Sequence, residues 1–262
     1  MPNLRLTIEY VGTAYKGWQI QPAAPTIQGV LQDRLRVVLR HPAQARGAAR
    51  TDAGVHALGQ VASVMTPVAV APERLARSLD ALLPADIGIR SVEIVPDSFH
   101  ARHSALGRIY RYRISTGSHM SPFQKLYAAH VPRRLDVQAM REAAALLLGR
   151  RDFSSFKGSE DVSESPVKEI RRSEVAVDPG ADTTLVYTVE ASSFLQHMVR
   201  NIAGTLIEVG RGRIKPDEIP GILDARDRRA AGPTAPAHGL FLERVLYADL
   251  APRDGRVLAF PF

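Results

Sequence analysis

Two hydrophobic periodicities alternate along this chain, and their alternation limits the possible fold more than any other feature of the sequence. Residues Leu4 to Tyr10 alternate apolar and polar side chains, which is the period of a strand with one buried face. From Ile27 to Val38 the apolar residues instead recur at helical spacing, behind Thr26, a residue type that caps helix N-termini. Because both patterns recur along the 262 residues, we predict a mixed α/β chain of the α+β type with several antiparallel strand pairs.

The same patterns predict further elements and one boundary. Strands are predicted over residues 60–65, 87–95, 108–115, 169–177, 184–190 and 240–247. Helices are predicted over residues 72–83, 137–148, 197–209 and 219–223. The best domain boundary lies between residues 101 and 107, so we predict an N-terminal subdomain over residues 1–104 and a C-terminal subdomain over residues 105–262.

The charge balance suits a polyanionic partner. The chain has 34 basic and 27 acidic residues, a formal net charge of +7 and a pI of about 10.0. A basic excess of this kind is typical of proteins that bind nucleic acid. Most of the basic residues are arginines, however, and a genomic base-composition bias produces the same skew. The charge is therefore compatible with RNA binding without establishing it.

Composition also excludes several kinds of site. The chain has no cysteine, which excludes disulfides, thiolate nucleophiles and cysteine-ligated metals. The closest histidine pair, His100 and His103, has no third ligand at suitable spacing, so we predict no metal site. No apolar run approaches the roughly 18 residues that a membrane-spanning helix needs, and the N-terminus lacks the pattern of a secretory leader. We therefore predict a cytoplasmic protein that does not contact a membrane.

The segment from Arg50 to Ala57 concentrates chemically active residues between two apolar stretches. Gly54 permits a tight backbone bend, and Asp52 follows Arg50 by two residues, so in an extended stretch both side chains emerge on one face. A guanidinium beside a carboxylate keeps it ionised, and an ionised carboxylate can act as a nucleophile or a base. The other interpretation is a turn in which Asp52 caps the backbone and Arg50 makes an ordinary ion pair, and spacing alone favours that turn.

Three other segments have two interpretations each. In the strand pattern from Gly107 to Ile114, Tyr110 and Tyr112 share one face, and Arg111 and Arg113 share the other. The tyrosines could stack on bases while the arginines reach phosphates, or the tyrosines could lie in the core. Arg200 stands among apolar neighbours and either pairs with an anion or packs its stem and hydrates its head. Trp18 could contact RNA or anchor its loop, and we favour the anchor.

Taken in order, these segments resemble the tRNA pseudouridine synthase A family. The resemblance spans nearly the whole chain, and Arg50-Thr51-Asp52-Ala53-Gly54-Val55-His56 is its most specific motif. The other matching segments are Tyr15 with Gly17-Trp18-Gln19, Gly59-Gln60-Val61, Leu83-Pro84-Ala85-Asp86-Ile87, Phe99-His100-Ala101-Arg102, Tyr110-Arg111-Tyr112, Asp152-Phe153-Ser154-Ser155-Phe156, His197-Met198-Val199-Arg200-Asn201 and Gly239-Leu240.

The resemblance implies a pseudouridine synthase fold, in which two subdomains share a central, mainly antiparallel sheet flanked by helices. It implies a homodimer that isomerises uridines at positions 38, 39 and 40 of the tRNA anticodon stem-loop, without a metal or organic cofactor. Asp52 would be the catalytic nucleophile of the N-terminal subdomain, and the C-terminal subdomain would complete the active-site cleft. Tyr110 would pack on the target base, Arg200 would pair with the catalytic carboxylate, and Arg50 would assist base flipping.

Two rival functions are compatible with the same residues. A non-catalytic RNA-binding or RNA-folding protein would use the basic surface and the tyrosines but would not need Asp52. A hydrolase or phosphotransferase with an aspartyl nucleophile would usually need Mg²⁺ and further carboxylates, and no acidic cluster surrounds Asp52 in the sequence.

Overall fold

We describe residues 1–248 from a computed structural model of the chain. These residues form two compact units. The first unit comprises Met1–Leu106 together with residues 241–248, and the second comprises Gly107–Leu240. The part of the predicted C-terminal subdomain that covers residues 249–262 lies outside the described residues.

The described residues contain ten strands and five α-helices. The strands are β1 (Asn3–Tyr10), β2 (Ala45–Gly47), β3 (His56–Met65), β4 (Ile87–Val95), β5 (Gly107–Ser115), β6 (Ala129–His130), β7 (Gly149–Asp152), β8 (Val167–Asp178), β9 (Ala181–Ala191) and β10 (Leu240–Leu246). The helices are α1 (Ile27–Leu39), α2 (Pro72–Asp80), α3 (Val137–Ala145), α4 (Met198–Gly210) and α5 (Ile219–Ala225). Every strand and helix predicted from the sequence is present, and the α+β class is confirmed.

The first unit is built on a mainly antiparallel sheet in the order β4-β1-β3-β10. β1 pairs antiparallel with both β3 and β4, and β2 pairs antiparallel with the far end of β3. β10 joins β3 in parallel, with Phe241 opposite His56. The alternating side chains Leu4, Leu6 and Ile8 of β1 are completely buried, as the period of two predicts.

Both helices of the first unit start where the sequence indicates. The Thr26 side chain accepts a hydrogen bond from the Gly29 amide and caps α1, and Pro72 occupies the first turn of α2. α2 is shorter than predicted, because it ends at Asp80, and Leu82, which lies inside the predicted helix, is 43% exposed. The chain turns there ahead of Pro84, whose ring disfavours helical backbone at the preceding residue.

The strands of the second unit follow the order β5-β9-β8-β7 and pair antiparallel with one another, and β6 adds to β5 in parallel. β8 and β9 form the antiparallel hairpin expected from the turn-forming residues between them. α3 packs against β8 and α4, and α4 also packs against β5. α3 is three residues shorter than predicted, and Gly149, the residue after the predicted helix, starts β7 with a φ of +91°.

α4 is the most buried helix of the second unit. Of its residues only Arg200 is not fully buried, and its C-terminal Glu208 pairs with Arg211 and Arg213 at 2.6 and 2.9 Å. Gly204 allows the closest approach, because a β-carbon there would lie 1.7 Å from the carbonyl oxygen of Pro233. This packing fixes the helix that carries Arg200 and Asn201 near its start.

Within residues 1–248, the structure contains no helix that is both long enough and apolar enough to cross a membrane.

Candidate active site

Asp52 lies in a loop of the first unit that leads into β3. Its side chain is partly exposed, whereas the neighbouring side chains Thr51 and Val55 are buried. The Val55 amide donates to the Asp52 carbonyl at 3.2 Å, and Gly54 bends the turn with a φ of +77°. The tight bend at Gly54 that the sequence predicts is thus confirmed. The loop presents one carboxylate while anchoring the residues on either side of it.

The buried side chain of Gln60 holds the residues that precede Asp52. Its amide oxygen accepts from the backbone N–H of Ala49 at 3.2 Å, and its amide nitrogen donates to the Ala49 carbonyl at 2.8 Å. The same nitrogen lies 3.5 Å from the Tyr10 hydroxyl, which in turn bonds to Thr51 Oγ1 at 2.8 Å. Gln60 therefore satisfies both backbone hydrogen-bonding groups of Ala49, as a neighbouring strand would. The chain of hydrogen bonds continues through Tyr10 to Thr51, the residue beside Asp52.

Burial raises the pKa of Tyr10 above its usual value, with the bonds to Thr51 and Gln60 opposing the shift. Tyr10 therefore stays protonated at neutral pH and supplies a hydroxyl for this chain of bonds.

A second segment, from Gly12 to Trp18, packs closely against the Asp52 loop because two of its residues are glycines. A β-carbon at Gly17, whose φ is +88°, would lie 2.5 Å from the Thr51 carbonyl oxygen and 3.0 Å from the Asp52 carbonyl carbon. A β-carbon at Gly12 would lie 1.9 Å from the Val55 carbonyl oxygen. The Trp18 amide also donates to the Thr51 carbonyl at 3.0 Å. The backbone of this segment therefore fixes the Asp52 loop from one side.

Trp18 anchors this second segment, as we favoured from the sequence. It is 1% exposed, and its indole covers Gly47, where a β-carbon would approach the ring nitrogen to 2.4 Å. Its ring centroid is 6.3 Å from that of Tyr10. The burial of Trp18 is incompatible with the alternative of a direct contact with RNA.

We predict that replacing Gln60 by leucine destabilises the protein by about 1–3 kcal/mol, because the backbone groups of Ala49 lose their partners while the shape of the side chain is largely kept. Urea unfolding followed by circular dichroism measures the change. Gln138, which is exposed on α3 and whose side chain bonds to Glu142, provides the control, and Gln138→Leu should stay within about 0.5 kcal/mol of the parent. Equal losses in the two variants would contradict the role given to Gln60.

The ion pair between Arg50 and Asp52 considered in the sequence analysis is not formed. Arg50 is exposed, and among residues 1–248 its side chain has no hydrogen-bonding or ion-pairing partner. Arg50 is thus an unpaired cation two residues from Asp52.

In the second unit, Tyr110 and Tyr112 both lie buried on β5. Tyr110 is 7% exposed and meets Phe194 edge to face, with ring centroids 5.0 Å apart. Tyr112 is completely buried, and its hydroxyl donates to the Pro236 carbonyl at 2.8 Å. The core interpretation is therefore right for Tyr112, which has no ring face free for a base.

The interpretation in which the arginines of this strand reach phosphates does not hold for Arg113. Its side chain is 2% exposed and pairs with Asp178 at 3.2 Å. Burial lowers the pKa of the Arg113 guanidinium, and the Asp178 charge opposes that shift. A buried cation with a carboxylate of its own is a structural ion pair and not a phosphate ligand.

Arg200 lies in the first turn of α4, behind His197, which caps the helix with a left-handed φ of +60°. The Arg200 Nε donates to the Ala235 carbonyl at 2.9 Å, and the Ala235 amide donates back to the Arg200 carbonyl at 3.1 Å. Its charge also acts on Tyr112: burial raises the pKa of Tyr112, and the Arg200 charge reduces that rise. The guanidinium is thus oriented by backbone contacts within the second unit.

The histidine pair offers no support for a metal site. The His100 and His103 rings lie 4.3 Å apart between centroids, and no group of three or more potential metal ligands occurs within residues 1–248. Burial and then the charges of His103 and Arg46 lower the pKa of His100.

The predicted site residues thus fall into two groups. Arg50 and Asp52 share one loop of the first unit, and Tyr110 and Arg200 lie on β5 and α4 of the second unit. The supporting roles of Tyr10, Gly17 and Gln60 were not predicted from the sequence, although Gly17 and Gln60 lie in segments that carry the family resemblance. A glutamine in the apolar pattern of β3 was a further signal that could have indicated such a role.

A partly exposed carboxylate on a braced loop of a sheet scaffold is typical of an enzyme whose aspartate acts directly on its substrate. The sequence model of the tRNA pseudouridine synthase family matches residues 6–104 and 143–248 of this chain. The chain therefore belongs to the tRNA pseudouridine synthase family and is an isomerase of that family, as the resemblance implied.

Curated relatives match over nearly their full lengths. The tRNA pseudouridine synthase A of Myxococcus xanthus is 44% identical over 252 residues, which are 96% of this chain and 94% of that protein. The protein of the same name from Rhodopseudomonas palustris is 46% identical over 248 residues, covering 94% of this chain and 100% of the relative. The Bacillus subtilis protein of that name is 44% identical over 249 residues, covering 94% and 99%.

Proposed function

We propose that this isomerase converts uridine to pseudouridine at positions 38, 39 and 40 of the tRNA anticodon stem-loop, with Asp52 as its nucleophile. The observation that carries the choice of Asp52 is its setting: this partly exposed aspartate lies on a loop braced by Gln60, Gly17 and Trp18. Bracing of this kind reduces the reorganisation needed when the substrate arrives. The positions in tRNA rest on the family resemblance alone.

The reaction breaks the bond between ribose C1′ and uracil N1 and forms a bond between C1′ and C5. A proton leaves C5 and a proton is gained at N1, so the composition of the nucleotide does not change. The target uridine has to leave the stacked stem before its reacting atoms become accessible. An attack by Asp52 on C1′ or on C6, or abstraction of a proton in a glycal route, would each use the same accessible carboxylate.

The other site residues keep the roles that the resemblance implies. Tyr110 packs on the target uracil, Arg200 pairs with the catalytic carboxylate, and Arg50 assists base flipping. The support for Arg50 is its exposure and its lack of a partner within residues 1–248, which leave the guanidinium able to stack on bases or bind phosphate. The first unit would supply the nucleophile, and the second would complete the cleft.

For Tyr110 we expect the ring to be essential, because packing on a base needs the aromatic face. Tyr110→Leu should lower kcat/KM for tRNA by at least about tenfold, the loss of one stacking contact of about 1–3 kcal/mol. Tyr110→Phe isolates the hydroxyl: turnover close to the parent shows that packing is its role, and lower kcat with unchanged binding shows that the hydroxyl moves a proton. Full activity of Tyr110→Leu would contradict both roles.

The proposed activity is tested by incubating the protein with an unmodified tRNA transcript and mapping pseudouridine by position. We expect modification at 38, 39 or 40, wherever the transcript carries uridine, and none in a transcript whose uridines at those positions are replaced by cytidine. The same reaction in EDTA should proceed unchanged, which separates the isomerase from a Mg²⁺-dependent hydrolase or phosphotransferase. Pseudouridine confined to other positions would overturn the proposed specificity.

We also propose that the protein acts in the cytoplasm as a homodimer, on the strength of the family resemblance. Light scattering coupled to size-exclusion chromatography should give a mass near twice 28.6 kDa. A mass of one chain at the concentrations used in the activity assay would contradict the homodimer.

A further inference from the structure

A basic pocket of the second unit is lined by none of the residues proposed for the chemistry, although its Arg228 bonds to Asn201, the residue next to Arg200. It has a volume of about 420 Å³ and lies between two short segments, one following Phe153 and one following α5. The residues that line it are Ser154, Lys157, Gly158, Ser159, Arg226, Asp227, Arg228 and Arg229. Four of these side chains are cationic and one is a carboxylate, so the pocket presents a concentrated positive charge.

Carboxylates neutralise only two of the four cations. Arg229 pairs with Asp227 at 2.7 Å, and Arg226 lies 3.3 Å from Asp152. Lys157 and Arg228 form no ion pair with any carboxylate in the described part of the chain. Lys157 and Arg228, the two cations of the pocket without an ion pair among residues 1–248, are therefore the ones that an external anion would neutralise.

Arg228 is the more informative of these two, because it is only partly exposed. Its guanidinium donates to three neutral acceptors, the Ala231 carbonyl at 3.3 Å and the side-chain oxygens of Asn201 and Thr234 at 3.1 Å each. Burial lowers its pKa, and no neighbouring carboxylate opposes the shift. A half-buried cation held in place by neutral groups is costly unless an anion binds beside it.

The positive charge of the pocket affects the pKa of Asp152, a carboxyl group at its edge. Burial raises the pKa of Asp152, but bonds to Ser154 and the charges of Arg226 and Lys157 outweigh burial and bring that pKa below its usual value. Arg226 itself adopts a left-handed backbone with a φ of +50°, an uncommon conformation for a residue with a side chain. That conformation ends α5 and brings the guanidinium to Asp152 beside the pocket.

We propose that this pocket binds a phosphate group of the tRNA backbone, through Lys157 and Arg228, at a place other than the uridine that reacts. The inference rests on the proposed function for its substrate, tRNA. A phosphate would supply the anionic partner that Lys157 and Arg228 need. The exposed side chain of Lys157 can move to contact it. The contact would position the RNA without reading its sequence.

The test measures binding of unmodified tRNA transcript by the full chain over a range of salt concentrations. We expect Lys157→Gln and Arg228→Gln each to raise Kd about tenfold at moderate salt. Each should also reduce the slope of log K against log salt by about 0.7–0.9 for the lost phosphate. At saturating tRNA, kcat should stay within a factor of two, because neither residue is proposed to touch the reacting uridine.

The matched controls are Arg133→Gln and Arg134→Gln. Both arginines are exposed and lie in the second unit, and each change removes the same single charge. If the controls weaken binding as much as the pocket variants, the effect is one of net charge and the proposal is overturned. Unchanged Kd and slope in Lys157→Gln would overturn it too. If Arg228→Gln fails to fold, the double variant Lys157→Gln/Arg226→Gln replaces it. Its slope of log K against log salt should then be smaller than that of the double control Arg133→Gln/Arg134→Gln.

Mapping pseudouridine in the same samples separates this inference from the proposed function. Modification at 38–40 by the parent protein, together with parent-like tRNA binding by the pocket variants, would overturn the pocket alone. Modification at other positions, together with the expected binding losses, would overturn the proposed specificity while supporting the pocket.

Discussion

Asp52→Asn should abolish pseudouridine formation and leave tRNA binding intact. The amide has nearly the shape of the carboxylate but lacks the charge that makes it a nucleophile. Removing the nucleophile of an enzyme typically costs about 10⁴-fold or more in kcat. The hydrogen bonds from Gln60 to Ala49 and from the Trp18 amide to the Thr51 carbonyl remain in this variant, so the loop should keep its shape.

Two measurements decide this prediction. Single-turnover assays on a transcript labelled at uridine give the rate, and filter binding gives Kd, which should stay within about threefold of the parent because the loop keeps its shape. Asp33→Asn, at an exposed position of α1, is the matched control and should modify tRNA at the parent rate. Formation of pseudouridine by Asp52→Asn at the parent rate would exclude Asp52 as the nucleophile. That result would favour a non-catalytic role for this loop, in RNA binding or RNA folding.

The longer elements of the fold were predictable from the sequence because each carries a periodic pattern of its own. β1 and β4 begin and end within one residue of prediction, and α1 begins one residue after Thr26, its predicted cap. The short strands β2, β6 and β7 have between two and four residues, which is too few for a period to be recognised. Helix ends were less accurate, because local turns before Pro84 and Gly149 compete with one more helical turn.

The candidate site was predictable only in part, for a physical reason. The motif around Asp52 is contiguous, so the sequence alone indicates it. Its supports are not contiguous: the bond between Tyr10 and Thr51 joins residues 41 positions apart, and Gln60 acts on Ala49 11 positions away. Hydrogen bonds between a side chain and a distant residue produce no periodic pattern in the sequence. The sequence also does not show that Arg50 and Asp52 form no ion pair.

The second large effect should come from Gly17→Ala, which adds one carbon beside the catalytic loop. The new β-carbon would lie 2.5 Å from the Thr51 carbonyl oxygen, so either the segment around Gly17 or the Asp52 loop has to move. Both contacts are with backbone atoms, which cannot rotate away as the end of a flexible side chain can. A displacement of about 1 Å in a catalytic group can cost about 10²-fold in rate, and we expect kcat to fall by about 10- to 100-fold.

Gly149 provides a control for this change, because it has nearly the same positive φ and open surroundings. Its φ is +91° against +88° at Gly17, and a β-carbon at Gly149 would meet nothing within 4 Å. Both alanine variants should therefore share a backbone strain of about 1–2 kcal/mol, which urea unfolding measures.

Only Gly17→Ala should add a steric cost, of about 1–3 kcal/mol, and only Gly17→Ala should slow the isomerisation. The comparison separates loss of activity through general destabilisation from loss through displacement of Asp52. If Gly149→Ala slowed turnover as much as Gly17→Ala, at a temperature where both variants are folded, backbone strain alone would account for the effect. The close contact between Gly17 and the Asp52 loop would then have no special part in catalysis.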